Sequence, residues 1–215
     1  MLLPVLTSVS DLGVTIDCNL KFSIHINGII SKAKQRIYLL FKSFFTRNIA
    51  LMVTAYKTYV LPILEYCSSI WSPSNLGDID RIEDVQRFFT KRLVGLWHCS
   101  YETRLIACSL SSLELRRLHN DLILCYKIVH KLICLNFSDF FETDANTRTR
   151  GHNSKLRLPL CYSSKRRNFF SVRVVPVWNA LPFKLVNVES ERRFKVELRQ
   201  IDLSRFLKRS YDCFV

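Results

Sequence analysis

The chain has 215 residues, 48% of them hydrophobic and 12% aromatic, and a formal net charge of +14. This hydrophobic content argues against intrinsic disorder, because disordered chains contain too few apolar residues to form a core. The length is enough for one domain or two small ones. Five Gly and six Pro favour a helix-rich fold over a β-sandwich with many turns. No run of 18 apolar residues is present, so the sequence predicts no membrane-spanning helix.

The eight Cys are spread along the chain, and none forms a C-x-x-C pair. This spacing favours reduced thiols, because disulfides are characteristic of oxidising compartments. Residues 1–6 lack the basic start and the long apolar core of a signal peptide. We therefore expect a location in the nucleus or the cytoplasm.

Two short strands and a first helix are predicted near the N-terminus. Residues 5–17 are rich in β-branched side chains around Asp11–Gly13, which is typical of two strands joined by a tight turn. Apolar residues then recur at spacings of three and four, which predicts one buried helix face. That face consists of Ile26, Ile30, Ala33, Ile37, Leu40 and Phe44.

A second helix is predicted over about residues 48–70. Pro62 removes one helical hydrogen bond and is expected to kink this helix, and Trp71-Ser72-Pro73 is expected to end it. Its buried side is predicted to carry Met52, Ala55, Tyr59, Ile63 and Cys67.

A third helix is predicted over about residues 78–94, with Arg87, Lys91 and Arg92 opposite its buried side. The acidic residues from Asp78 to Asp84 complement the positive end of a helix dipole, and we do not interpret them as metal ligands. The buried side is predicted to carry Ile79, Ile82, Val85 or Gln86, Phe89 and Leu93.

A fourth helix is predicted after Ser111-x-x-Glu114, which matches a capping box. Isolated helices of this length are marginal in water, so we expect the four helices to pack into a small bundle over residues 21–135. The apolar face of the fourth helix is predicted to consist of Leu115, Leu118, Leu122, Tyr126, Val129 and Ile133.

The character of the chain changes after the bundle. Residues 136–168 are polar, basic and weakly periodic, and we interpret them as a linker or long loop. Residues 169–215 are interpreted as a C-terminal region with a strand, predicted over about 168–177, a turn anchored by a buried Trp178, and a helix over about 190–201. The predicted fold is therefore mainly α: a helical bundle with a β pair in residues 1–20 and a basic mixed α/β C-terminal region.

Positive charge is concentrated in one segment. Residues 145–188 hold nine basic residues and no acidic residue, whereas residues 1–144 have a net charge of only +3. Such a segment implies a polyanionic partner, most often nucleic acid, and a solvated charged loop is the alternative. The candidate binding residues here are Arg148, Arg150, Lys155, Arg157, Lys165, Arg166 and Arg167.

Aromatic residues lie next to the strongest basic run. Lys165–Arg167 is followed by Phe169 and Phe170, so charges for phosphates lie beside rings on which bases stack. The alternative is that the two Phe belong to the core, and burial of at least one of them is favoured.

The sequence predicts neither a metal site nor a catalytic nucleophile. His130 and Cys134 are spaced to share a helix face and His98 precedes Cys99, but the C-x₂₋₄-C spacing of zinc sites is absent. No Gly-x-Ser-x-Gly sequence is present. No cofactor is expected.

Several motifs occur in an order that resembles one family. Tyr59-Val-Leu-Pro-Ile-Leu-Glu-Tyr66 is followed by Trp71-Ser-Pro73 and by Val85-Gln-Arg-Phe-Phe-Thr-Lys-Arg92, with Asp11-Leu-Gly-Val14 before them and Trp178-Asn-Ala-Leu-Pro182 after them. This pattern resembles the region that follows the catalytic palm in reverse transcriptases of non-LTR retrotransposons, LINE elements of the jockey or CR1 kind. The resemblance spans nearly all 215 residues.

The resemblance implies a nucleic-acid-binding role for the helical part. Residues 1–20 would correspond to the end of the palm, and residues 21–135 to a thumb-like bundle that grips the primer–template backbone independently of sequence. Arg87, Lys91 and Arg92 match the basic positions of the V-Q-R-x-F-T-K-R motif and are candidate contacts, with an exposed solubilising face as the alternative. The implied ligand is RNA, DNA or an RNA–DNA hybrid.

Polymerases of this family hold two metal ions with a Tyr-x-Asp-Asp pair, and no Asp-Asp pair occurs in this sequence. The chain is therefore expected to have neither polymerase nor endonuclease activity by itself. Three hypotheses stay open: a nucleic-acid-binding module, a helical protein–protein interaction module or transposon relic, and a fragment that docks on the palm of a related reverse transcriptase.

Overall fold

The computed structural model describes residues 6–45, 48–144, 154–209 and 211. The fold is mainly helical with a short two-stranded antiparallel sheet near the N-terminus, which confirms the predicted fold class. The chain divides into two compact units. The first unit contains residues 1–114 and 209–215, and the second unit contains residues 115–208.

The N-terminal hairpin has the predicted position. Strand β1 (Ser8–Asp11) pairs with β2 (Val14–Asp17), and Asp11 lies opposite Val14. The two turn residues, Leu12 and Gly13, have φ values of 44° and 84°, as the tight turns favoured between twisted strands require. The Tyr66 hydroxyl donates a hydrogen bond of 3.0 Å to the Leu12 carbonyl and holds this turn against the helices.

The first helix confirms its predicted face. Helix α1 (Ser23–Ser43) buries the stripe from Ile26 to Leu40 and, in addition, His25 and Ile29. Phe44, the last predicted member of this face, follows the end of the helix and is only partly buried. Nδ1 of His25 accepts a hydrogen bond from the Thr15 amide, so this ring joins the helix to β2.

The prediction of one kinked helix over residues 48–70 is wrong. The segment forms α2 (Ile49–Tyr59), α3 (Leu61–Glu65) and α4 (Ser68–Trp71). Pro62 lies in the first turn of α3, where its missing N–H costs no hydrogen bond, and Cys67 has a left-handed φ of 51° that separates α3 from α4.

The buried face of α2 also differs from the predicted one. Tyr59 is exposed, and Tyr56 takes the buried position, with its ring stacked at 4.3 Å from that of Phe89. The end at Trp71 is as predicted, and the Trp71 indole is buried.

Three further helices follow along the chain: α5 (Leu76–Lys91), α6 (Tyr101–Cys108) and α7 (Leu113–Val129). Helix α5 buries the predicted positions from Ile79 to Phe89, and Leu93 is also buried but lies beyond the end of the helix. Helix α6 was not predicted. The boundary between the two units falls at Glu114, in the first turn of α7. The core of the first unit includes Ile26, Ile37, Met52, Leu64, Trp71, Ile82, Phe89 and Leu105.

A network of buried polar groups lies inside this core. Glu83 on α5 is fully buried and accepts hydrogen bonds from the Tyr101 hydroxyl and, at 2.9 Å, from the Leu113 amide. Gln86 donates to the Tyr101 oxygen at 3.1 Å and to the Ser111 carbonyl at 3.0 Å. Burial and the Glu83 carboxylate raise the pKa of the Tyr101 hydroxyl, which therefore stays a donor.

Apart from α7, the second unit is built from short helices. After α7 come α8 (Phe137–Phe140), α9 (Ser164–Arg167), α10 (Phe170–Arg173), α11 (Val175–Asn179), α12 (Phe183–Val186), α13 (Glu191–Leu198) and a 3₁₀ turn (Ser204–Phe206). The segment interpreted as a linker, 136–168, thus contains α8 and α9, and also an antiparallel bridge between Thr143 and Leu156.

The predicted strand from about residue 168 is wrong, because this stretch forms α10 and α11. Four valines of this stretch are buried, which leaves no clear strand period in the apolar pattern: Val172, Val174, Val175 and Val177. Tertiary packing therefore overrides the local β propensity of these residues. Within the described residues after 156, the C-terminal region contains no strand, and the mixed α/β prediction is corrected to helical.

The predicted buried Trp and the last helix are confirmed. Trp178 is fully buried on α11 and donates to the Ser154 carbonyl at 2.9 Å. Phe194 on α13 stacks on Tyr126 with ring centroids 4.2 Å apart, and Ser190 caps α13 by accepting from the Arg193 amide. Among the helices of the described residues, none has the length and apolar character needed to cross a membrane.

Replacing Glu83 by Ala should destabilise the first unit. The substitution leaves the Tyr101 hydroxyl and the Leu113 amide without their buried acceptor, which we expect to cost about 2–4 kcal/mol of unfolding free energy. Urea unfolding monitored by circular dichroism measures the change. The matched control is Asp84→Ala on the same helix, which removes an i,i+3 ion pair between an exposed carboxylate and the half-buried Arg87 and should cost less than about 1 kcal/mol. Equal effects would contradict the role given to Glu83.

His119 should make the second unit sensitive to acid. Burial, together with Arg199 and Arg116, lowers the pKa of His119 from 6.5 to about 4. Because the unfolded ring takes up its proton at higher pH than the folded ring, stability is lost as pH falls from about 6.5 towards 4, by at most about 1.4 kcal/mol per pH unit.

Urea unfolding at a series of pH values should therefore show a smaller acid destabilisation in His119→Gln. Some dependence should persist in the variant, since burial and Lys32 also lower the pKa of His25 in the first unit. An unchanged pH profile would mean that His119 is protonated equally in both states.

Candidate nucleic-acid interface

The basic triplet Lys165–Arg167 forms one exposed helical turn. All three side chains are exposed on α9. The turn is closed by hydrogen bonds from the Arg167 amide to the Ser163 carbonyl, at 3.0 Å, and from the Asn168 amide to the Ser164 carbonyl, at 3.1 Å. The backbone of α9 therefore presents three adjacent cations to solvent.

The two Phe that follow the triplet have different environments, and the expectation that at least one is buried is confirmed. Phe170 is 4% exposed and lies edge-on to Phe141, with centroids 5.9 Å apart. Phe169 is 45% exposed, and the Arg166 guanidinium carbon lies 5.4 Å from its ring centroid. One ring thus anchors the segment in the core while its neighbour faces solvent.

Arg173 belongs to the same acid-free segment but serves the fold. Its guanidinium makes two hydrogen bonds to the carboxylate of Asp121 on α7, at 2.9 and 3.1 Å, and the Asp121 side chain is only 4% exposed. The third nitrogen donates to the Asn168 carbonyl at 2.8 Å. Arg173 therefore ties the end of α9 to α7.

The remaining candidates of the basic segment differ in accessibility. Arg157 pairs with Glu142 at 3.0 Å, and both side chains are about 70% exposed, a geometry in which an ion pair contributes little. Lys155 is half-buried beside this pair. Arg148 and Arg150 lie outside the described residues.

In the first unit, Arg87 is engaged within the protein. It pairs with Asp84 at 2.6 Å and donates to the Tyr211 hydroxyl, and its guanidinium carbon lies 5.2 Å from the centroid of the Tyr101 ring. The structure therefore gives Arg87 an internal role in addition to the binding role expected for it.

The partners of Arg87 come partly from the C-terminal segment, which the sequence analysis missed. Tyr211 also donates to Asp80 at 3.1 Å, and Arg209 donates to the same carboxylate at 3.0 Å. These contacts, Arg209 first, lower the pKa of Asp80. Asp80 is separated from Arg209 by 129 positions and from Tyr211 by 131 positions, so no local sequence pattern indicates these contacts.

Lys91 and Arg92 are exposed at the end of α5. The Arg92 guanidinium carbon lies 3.5 Å from the ring centroid of Phe88 and 5.4 Å from that of Tyr38, which is itself 57% exposed. A cation held flat against aromatic rings keeps its N–H edges available to an anion. The aromatic partners of Arg92 were also not predicted.

The described residues contain no group of three side chains suited to hold a metal ion. Helix α7 ends at Val129, so His130 and Cys134 do not share a helix face, and the His130 ring hydrogen-bonds the Val186 carbonyl at 2.8 Å. Asp80 and Asp84 belong to the acidic run that we do not interpret as metal ligands, and they form ion pairs with Arg209 and Arg87, respectively.

Comparison with known proteins identifies a distant relative. No protein-family model and no solved structure matches the chain. A Caenorhabditis elegans protein, uncharacterized protein B0403.1, is 27% identical over 113 residues, which cover 51% of this chain. The match spans 57% of the relative's own length. The relative's name states no activity, so the similarity assigns none.

Replacing Arg173 by Ala should destabilise the second unit strongly. The change removes the bidentate partner of a buried carboxylate, a loss that we expect to cost about 3–5 kcal/mol. Arg173→Lys keeps the charge but loses the bidentate guanidinium geometry, so its stability should lie between that of the wild type and that of Arg173→Ala. Amide hydrogen exchange in α7 reports the effect. The control Arg157→Ala, which breaks an exposed pair, should change protection by less than about 1 kcal/mol, and an equal loss in the control would refute the assignment.

Proposed function

We propose that this chain binds nucleic acid through contacts with the phosphate backbone and that α9 is the main contact. The observation that carries the proposal is the basic triplet: three adjacent, exposed cations in a segment, 145–188, without an acidic residue. Phosphates attract such a cluster because each contact releases condensed counterions from the nucleic acid.

The surroundings of the triplet favour an external anion. Arg173 and Arg157 pair with Asp121 and Glu142, whereas Lys165–Arg167 has no ion pair with any described residue. Three adjacent cations without counter-charges repel one another, and an approaching phosphate chain relieves that repulsion. A merely solubilising surface would more commonly intersperse both signs of charge.

Lys91 and Arg92 offer a second cationic surface, on the first unit. Arg92 is pre-positioned by its stacking on Phe88, which lowers the entropy lost when it contacts a phosphate. Arg87 would contribute only if an anion replaced its contacts with Asp84 and Tyr211.

The resemblance to non-LTR retrotransposon reverse transcriptases supports the same function. In that family the helices after the palm hold the primer–template, and RNA, DNA or a hybrid is the corresponding ligand here. We propose that the chain corresponds to this C-terminal portion and lacks polymerase and endonuclease activity by itself, because its sequence has no Tyr-x-Asp-Asp pair. The palm of a related enzyme would be its protein partner, in the nucleus or the cytoplasm.

Fluorescence anisotropy with a labelled RNA–DNA hybrid at several salt concentrations tests the proposal. The wild-type affinity should fall steeply with salt and depend little on sequence. In Lys165→Ala/Arg166→Ala/Arg167→Ala, affinity should drop at low salt, and the slope of log K against log salt should shrink by about 2–3, one unit per lost phosphate contact.

A matched control removes the same number of positive charges, three, from α13. Arg193 and Lys195 pair with Glu197 and Glu191, so the variant Arg192→Ala/Arg193→Ala/Lys195→Ala changes net charge equally where acidic neighbours are present. Its affinity should fall less than that of the triplet variant. Undetectable or salt-insensitive binding by folded wild-type protein would favour a protein–protein module or a relic.

A further inference from the structure

Large apolar and aromatic side chains are exposed on both sides of α9. Tyr162 is 98% exposed and Leu160 is 88% exposed before the turn, and Phe169 is 45% exposed after it. Single exposed apolar residues are common in soluble proteins. Three of them lie within ten positions of the chain, on both sides of a basic triplet, and such a concentration of exposed apolar side chains, here called the α9 patch, is typical of a binding surface.

This segment is held in place although its side chains are exposed. The Arg167 guanidinium donates to the Cys161 carbonyl at 3.4 Å, so the chain just before Tyr162 is folded back onto the turn. At the other end, Arg173 donates to the Asn168 carbonyl and Phe170 is buried in the core of the second unit. Ordering before binding lowers the entropic cost of contacting a ligand.

We infer that Tyr162 and Phe169 stack on unpaired bases while Lys165–Arg167 contacts the phosphates, which makes α9 a site for single-stranded nucleic acid. This inference rests on the proposed function and specifies its ligand. Cationic grooves with exposed aromatic rings are the common means of binding single strands without sequence preference. A duplex offers its phosphates but not the faces of its bases, since those are stacked on one another.

The geometry of Phe169 fits this role. Arg166 lies over the ring at 5.4 Å, so a base that stacks on the ring would meet a π surface already associated with a cation. The Arg166 side chain is itself exposed, so it is accessible to a phosphate of the same strand. A protein ligand with an apolar surface fits the side chains less well, because the three cations would lose hydration without gaining counter-charges.

The test compares three labelled ligands of equal length: a single-stranded RNA, its duplex, and an abasic strand that keeps the phosphates and lacks the bases. Wild-type protein should bind the single strand more tightly than the abasic strand. Tyr162→Ala/Phe169→Ala should weaken binding of the single strand by tenfold or more and leave binding of the abasic strand unchanged. A 2-aminopurine base in the strand should be quenched by the wild type and not by the variant.

Phe183→Ala is the matched control, because Phe183 is 54% exposed in the same unit and lies outside the proposed site. It should bind all three ligands as the wild type does. Equal binding of single and abasic strands, with salt dependence retained, would overturn base stacking and leave the proposed function standing. No binding of any strand would refute both. A change in oligomeric state of the double variant, with nucleic-acid binding unaffected, would instead assign the patch to a protein interface and overturn this inference.

Discussion

A carboxylate buried inside a protein needs a positively charged partner, and the second unit is organised around such a pair, Asp121 and Arg173. Asp121 on α7 is almost fully buried, and leaving its charge unpaired would cost several kcal/mol. Arg173 satisfies both carboxylate oxygens and, with its remaining nitrogen, the carbonyl of Asn168 at the end of α9. One guanidinium therefore fixes α10 against α7 and determines where the basic turn is held. The exposed triplet depends on this internal pair for its position.

Internal ion pairs also determine which cations are available for a ligand. In the sequence, a basic segment is a set of equal charges, but the cations that the structure describes differ in whether they have a counter-charge. Arg173 is used inside the fold, Arg157 has an exposed counter-charge, and Lys165–Arg167 has none among the described residues. In the first unit, Arg87 is held by Asp84 and Tyr211. Availability for phosphate contact follows from these pairings and is not a property of residue type.

The first unit uses buried polar groups to select one packing of its helices. Glu83 and Gln86 on α5 are fully buried, and they bind Tyr101 of α6 and backbone groups at Ser111 and Leu113. A buried network of this kind stabilises the fold only when its donors and acceptors are matched, because the low dielectric makes an unmatched group costly. It thereby fixes the middle of α5, the helix that has Lys91 and Arg92 exposed at its C-terminal end.

Local rules were sufficient for part of this protein. The hairpin at Leu12–Gly13, the buried face of α1 and the cap of α13 at Ser190 follow from turn conformation, helical period and capping, which act over a few residues. The concentration of charge in residues 145–188 is also visible in the sequence alone. Tertiary structure decided the rest. It made helices of the valine-rich stretch after residue 168, paired Arg173 with a carboxylate 52 positions away, and exposed Phe169 while burying Phe170. These outcomes depend on contacts between residues that are distant in sequence, because the free energy of burying a charge or a ring depends on the groups that surround it in the folded protein.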